Sequence, residues 1–240
     1  MGWAGASAPG TGRRSLPSLS TPVAVGVTGM TLHLTAACAS DSAPELPPVV
    51  QSSQMVEVSL PASGLYHGDE DAPIIMVEFG DMTCPTCMLF HRRLFPTIDS
   101  VYIEPGRVRF RYVELPSTPE RDSAAVTLYC LGSEVSFPLA HRSVRNTLGG
   151  QQVSSPAAAA QFRSDIRERI DRCRQDPSTL ASIQAERNAA RTLGVSGTPT
   201  FVIGREHSDG RVVGWAIVGI PGTSVIRDHL DAAKVLVSRD

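Results

Sequence analysis

Lysine is almost missing from this chain: Lys234 stands alone among 22 basic residues, and all the others are arginine. Such a bias is the mark of a GC-rich genome and not of a phosphate-binding design. A net basic charge is missing too. The formal charge is −2 at pH 7, so no positive surface argues for a nucleic acid partner. No Asp or Glu occurs before Asp41. The mostly apolar run from Val23 to Ala37 is interrupted by Gly26, Gly29 and His33, and it falls short of the roughly 20 residues that cross a bilayer. A second closely spaced cysteine pair is also lacking, as are internal repeats and any second region with its own core.

What is present at the N-terminus reads as an export leader. Arg13 and Arg14 supply positive charge, the apolar run follows, and small residues precede a break, the three parts of a secretory signal. The alternative is a disordered leader with an over-extended start. The stretch L-T-A-A-C ends at Cys38 and looks like a lipobox, although Leu34 sits one place further from the cysteine than that pattern has it. Cys38 is therefore the lipidation candidate. The Arg13-Arg14 pair is a weak twin-arginine signal. The expected organisation is a leader over 1–38, a Ser-, Pro- and Ala-rich tether over 39–55, and a domain over 56–240.

Within that domain, Val56 to Leu60 is expected as a short strand. The run I-I-M-V-E-F (74–79) is apolar on both faces except for Glu78, as in a strand buried on both sides. Cys84-Pro85-Thr86-Cys87 follows directly, and M-L-F-H-R-R-L-F (88–95) has helical spacing. The two thiols thus sit at a strand-to-helix junction, with Pro85 where a missing N–H costs nothing. V-R-F-R-Y-V (108–113) alternates as a half-buried strand. Helices are expected from Ser117 to Cys130, Phe137 to Leu148, Pro156 to Arg174 and Pro177 to Leu193. Strands 200–204 and 215–219 and a helix from Thr223 to Val237 close the chain. The order β–α–β, helical block, β–β–α describes a mixed α/β sheet with a large helical insertion.

C-P-T-C admits three chemistries. A structural zinc site needs four ligands, usually as two close pairs; His91 offers a third ligand here, and no fourth is indicated, so no metal is expected. Otherwise His91 is a solvent-facing or packed helix residue. A permanent brace across so short a loop constrains the unfolded chain little. A thiol at a helix N-terminus, by contrast, faces unpaired N–H groups and the positive end of the dipole. Both favour thiolate, which is the attacking species and the better leaving group. Redox exchange fits best. Five cysteines occur, Cys38, Cys84, Cys87, Cys130 and Cys173, and removing Cys38 by cleavage or lipidation leaves two pairs.

V-E-F-G-D-M-T-C-P-T-C-M-L-F-H, followed far downstream by G-V-S-G-T-P-T-F-V-I-G, resembles the DsbA-like branch of the thioredoxin superfamily over about residues 64 to 237. The resemblance implies a thioredoxin-like fold with a helical insertion between the central strands, about 117–195. It makes Cys84 the exposed nucleophile and Cys87 the buried resolving thiol, with Pro85 and Thr86 tuning the pair. Pro199 takes the position of the family's cis-proline, and Thr198 would give its backbone to a bound peptide. The other reading of Thr198-Pro199 is a turn before an edge strand. Glu78 matches the family's buried acid and would relay a proton to Cys87; otherwise it is a satisfied or edge-exposed acid. Cys130 and Cys173 would form a structural bond within the insertion. The sequence departs from the family at Met82, where an aromatic is usual, and this change is expected to fall on the peptide-contacting surface.

The expected function is thiol–disulfide exchange with cysteines of exported proteins, as an oxidant, outside the cytoplasm, with no cofactor. A membrane redox partner would reset the active site, and membrane contact would come only through the leader or a lipid. A reductase or isomerase of the same fold, or a binding lipoprotein without catalysis, are the alternatives.

Overall fold

Strand formation follows the apolar pattern most closely at the centre of the sheet. The computed structural model describes residues 50–116, 122–148 and 162–237. The leader, Cys38, the tether before Val50 and the expected start of the first insertion helix lie outside the described residues. Among the described residues there are β1 (Val50–Ser59), β2 (Leu65–His67), β3 (Ile74–Gly80), β4 (Val108–Glu114), β5 (Thr200–Glu206) and β6 (Arg211–Val218). They share one sheet in the order β1-β6-β5-β3-β4-β2. β3 and β4 are parallel, and every other pairing is antiparallel.

Two strands depart from expectation. β1 begins at Val50, opposite Val218, so it runs into the stretch expected to be tether. Gln51 to Gln54 are polar, and pairing at a sheet edge needs only backbone, so no periodicity marked them. β2 pairs Leu65 with Tyr112 and His67 with Phe110; three residues are too few to leave a pattern.

The helices are α1 (Pro85–Arg93), α2 (Phe95–Ile98), α3 (Asp122–Gly132), α4 (Phe137–Leu148), α5 (Ser164–Gln175), α6 (Pro177–Leu193) and α7 (Thr223–Val237), with a π-helical turn at Asp99–Ile103 after α2. α3 to α6 lie between β4 and β5 and constitute the helical insertion. α6 has the expected bounds because each end is specified: Asp176 accepts the Ser178 N–H, Pro177 opens the helix, and Gly194 closes it at φ 80°, a conformation that glycine adopts without steric cost. α5 is described from Ser164, and the expected Pro156 start lies outside the described residues.

Alternation along β3 divides the core. Ile75, Val77 and Phe79 pack with Val58, Val202, Val212 and, on α6, Ala190. Ile74 and Met76 point the other way, among Phe90, Phe95, Phe110, Tyr112 and Phe137. α6 is fastened to its face by Arg111 of β4. This guanidinium is fully buried and donates to the carbonyls of Pro61 at 2.8 Å and Ser63 at 3.0 Å, to Glu186 Oε1 at 2.7 Å, and to the Tyr66 hydroxyl. On the opposite face, a disulfide between Cys130 and Cys173 ties α3 to α5, with 5.7 Å between Cα atoms and 43 residues along the chain. Among the described residues, no helix is long and apolar enough to cross a membrane.

A loop of that length should contribute about 3–4 kcal/mol in the chain-entropy model. Cys130→Ser is therefore expected to lower the urea unfolding free energy by that amount. The Cys84/Cys87 redox equilibrium, measured in the same variant, should be unchanged.

Candidate active site

Where β3 ends, the chain makes a tight turn before it becomes helix. The N–H and hydroxyl of Thr83 both donate to Asp81 Oδ1, at 2.7 and 2.6 Å, and the Cys84 N–H donates to the Asp81 carbonyl at 2.9 Å. Short polar side chains make such turns readily. Cys84 is the N-cap of α1, Pro85 opens the helix, and no side chain caps it. The open N–H groups are thus left for the Cys84 sulfur. Partial burial works against a Cys84 thiolate, but hydrogen bonding from Thr198, from the N–H and thiol of Cys87, and from the Thr86 N–H outweighs it and lowers this thiol.

Across from Cys84, its S–H donates to the Thr198 carbonyl at 3.4 Å, and the Thr198–Pro199 bond is cis. Pro199 precedes β5, which lies between β3 and β6. The edge-strand reading of Thr198-Pro199 therefore fails. Pro85 is exposed, Cys84 and Thr86 are half-buried, and Cys87 is 1% exposed. Burial first, and then the charge of Glu78, push the Cys87 thiol well up. The motif holds one thiol readied for attack and one held protonated.

Beneath Cys87 lies Glu78, fully buried, with its carboxyl pushed well above the usual range by desolvation. His91 Nε2 is 2.9 Å from Glu78 Oε2, at an angle too oblique for a hydrogen bond, and neither carboxyl oxygen has another hydrogen-bond partner. His91 is thus the packed helix residue and not a solvent-facing one: it is the polar member of an aromatic cage with Phe90, Phe95, Tyr112 and Phe137, and its ring lies 4.1 Å from that of His141. Burial, assisted by the positive charge of Arg145, pushes His91 down to about 3. Among the described residues, no group of three or more His, Cys, Asp or Glu side chains is arranged to hold a metal.

Met82 corrects one expectation. It is 1% exposed and belongs to the core, so its side chain does not shape a peptide-contacting surface. Its N–H donates instead to Glu114, at 3.2 and 3.3 Å from the two oxygens. Glu114 also accepts from the Tyr112 hydroxyl at 2.5 Å, and Gly80 pairs with it in register. A Cβ on Gly80 would lie 2.7 Å from Tyr112 Cε2 and 3.0 Å from Glu78 Oε1, so only glycine leaves room there for both side chains. Burial pushes Glu114 up to about 8 against the pull of those hydrogen bonds. Glu114, Tyr112 and His141 escaped sequence reasoning. Glu114 ends an alternating strand, where an acid reads as exposed; its place in the even register with Phe110 and Tyr112 was the available signal.

The thioredoxin family model Thioredoxin_4 matches residues 62–213, more than half of the chain. Disulfide bond formation protein D of Bacillus subtilis is 44% identical over 48 residues, 20% of this chain and 22% of that protein. A Rickettsia bellii protein, provisionally named a protein-disulfide oxidoreductase, is 25% identical over 142 residues, 57% of this chain and 55% of that one. The chain thus spans about half or less of the length of these curated relatives. Among solved structures, Wolbachia pipientis alpha-DsbA1 aligns with TM-score 0.56 and 22% identity over 75% of this chain and 95% of that one. Oxidised Bacillus subtilis BdbD aligns with TM-score 0.55 and 18% identity over 73% and 96%. The fold is the DsbA-like thioredoxin fold with its helical insertion.

Two measurements bear on these environments. In reduced protein, Cys84 should be alkylated well below pH 8, and Cys87 far more slowly; equal rates at pH 7 would contradict the site. Stability should also peak in weak acid. Glu114, raised from 4.5 to about 8, and Glu78, raised in the same sense, bind protons in the folded state that the unfolded chain has released. They remove stability as pH rises from about 4.5 to about 8. His91, lowered from 6.5 to about 3, and His141, lowered likewise, remove stability as pH falls below about 6.5. Urea midpoints from pH 4 to 9 should therefore trace a maximum near pH 5–6.5, and Glu114→Gln should flatten the alkaline limb.

Proposed function

We propose, from the premise that this chain belongs to the thioredoxin family, that it exchanges a Cys84–Cys87 disulfide with cysteines of exported proteins, as an oxidant, outside the cytoplasm. The observation that carries this reading is the pairing of opposites in one motif: a half-exposed Cys84 with a lowered thiol against the Thr198 carbonyl, and a buried Cys87 with a raised one.

In the oxidising direction, a substrate thiolate attacks Cys84 Sγ of the disulfide. The sulfur–sulfur bond breaks, its electron pair goes to Cys87, and Glu78 supplies the proton that a buried sulfur requires. A second substrate thiolate then attacks the substrate sulfur of the mixed disulfide, and Cys84 leaves as thiolate. The substrate has lost two electrons, and the protein holds two reduced cysteines. The Thr198 backbone beside the cis-proline offers its carbonyl to the extended peptide that carries the substrate cysteine, and the exposed Pro85 and half-buried Thr86 border the same contact. Reoxidation calls for a two-electron acceptor, assigned here to a membrane redox partner. Membrane attachment would come through the N-terminal leader or a lipid on Cys38, and Cys130–Cys173 takes a structural role.

Lowering the Cys84 thiol favours the reduced protein, which supports the oxidant reading. The Cys84–Cys87 reduction potential against glutathione is expected above about −180 mV, and a value near −270 mV would make the protein a reductase instead. Cys84→Ser should abolish exchange with a reduced model substrate. A parent protein without exchange activity, whose partner binding is intact in Cys84→Ser, would instead be a binding lipoprotein that carries the fold without its catalysis.

A further inference from the structure

Resting on that thiol–disulfide reading, we propose that His91 is a positioning residue for the exchange reaction: its Nε2–H holds one oxygen of the Glu78 carboxyl and leaves the other to pass its proton to Cys87. His91 lies one helical turn beyond Cys87 on α1, so both side chains look from one helix face toward β3. There His91 Nε2 stands 2.9 Å from Glu78 Oε2, with side-chain exposures of 4% and 0%. Each of these atoms otherwise lacks a hydrogen-bond partner. A polar pair buried at such a distance is costly unless a proton lies between the two atoms.

The surroundings keep that ring neutral. Cys87 shares its helix, Glu78 faces it from β3, Tyr112 and behind it Glu114 from β4, and His141 and Arg145 from α4. Phe95 is what α2 presents. With no solvent and with Arg145 opposing a positive charge, His91 serves as a neutral N–H donor. A neutral imidazole can donate to Oε2 while Glu78 is a carboxylic acid and again after it has become a carboxylate. During exchange the electron pair of the broken sulfur–sulfur bond stays on Cys87, the Glu78 proton moves to that sulfur, and the carboxylate left behind keeps the hydrogen bond from His91. If the ring were mere filling for an aromatic cage, phenylalanine would serve equally well.

The test measures the Cys84–Cys87 equilibrium with glutathione from pH 5 to 9. His91→Phe should shift the inflection belonging to Glu78 upward by about one pH unit, because a carboxylate deprived of its donor is harder to form. His91→Gln, whose amide can donate, should recover part of that shift, and in a Glu78→Gln background His91→Phe should add nothing. A His91→Phe profile that overlies the parent, or a shift that persists without Glu78, overturns the proposal. A second readout needs no substitution at His91: ¹⁵N NMR should find Nε2 protonated between pH 5 and 8, with a shift that follows the redox state in the parent but not in Glu78→Gln. A bare Nε2 overturns the proposal equally. If Cys84→Ser retained exchange, the thiol reading itself would fall; if only the His91 results are negative, that reading stands and His91 is packing.

Discussion

Burying Glu78 is the constraint on which this structure turns. A carboxyl in the middle of an apolar strand, with no solvent and one oblique neighbour, is kept in its acid form by its surroundings. The aromatic residues of α1, α2, β4 and α4 that close over it are as much a means of excluding water as a core. Phe137 and His141 of α4 are part of this roof, so the helical insertion contributes directly to the burial of the carboxyl.

The two faces of the sheet treat buried charge in opposite ways. Behind β4, Arg111 meets a carboxylate, a hydroxyl and two carbonyls, and its ion pair with Glu186 is nearly saturated with partners. Breaking one member of such a pair leaves the other stranded, so it locks α6 in place and does little else. In front, Glu78 is left short of partners. A satisfied group stays as it is; an unsatisfied one has a proton to give. The fold concentrates rigidity on one face and chemical readiness on the other, and the alternation of β3 and β4 keeps the two apart.

Much of this was legible in the chain. C-P-T-C after an otherwise apolar strand located the thiols at a helix N-terminus, and Glu78 stood out as the acid within that strand. The G-T-P-T-F segment located Pro199. The insertion helices were legible as helical stretches, and Phe137–Leu148 and Pro177–Leu193 have the bounds expected of them. Less legible were features that depend on partners distant in sequence. His91 was visible only as a residue one turn past Cys87, and nothing local tells a helix which strand will cover it. Glu114 and Tyr112 lay in an alternating run whose two faces both proved buried. Met82 was tied to the peptide-contacting surface only through the family's usual aromatic at that place, whereas its side chain lies in the core. β2 and the first half of β1 are edge pairings, held by backbone that carries no side-chain signature.

The bond between Cys130 and Cys173 places this molecule in a sequence of events. Forming it removes two electrons from a pair of thiols 43 residues apart. A newly made copy therefore passes through a stage in which α3 and α5 are held by packing alone, and it waits on an external electron acceptor before the fold is fully tied.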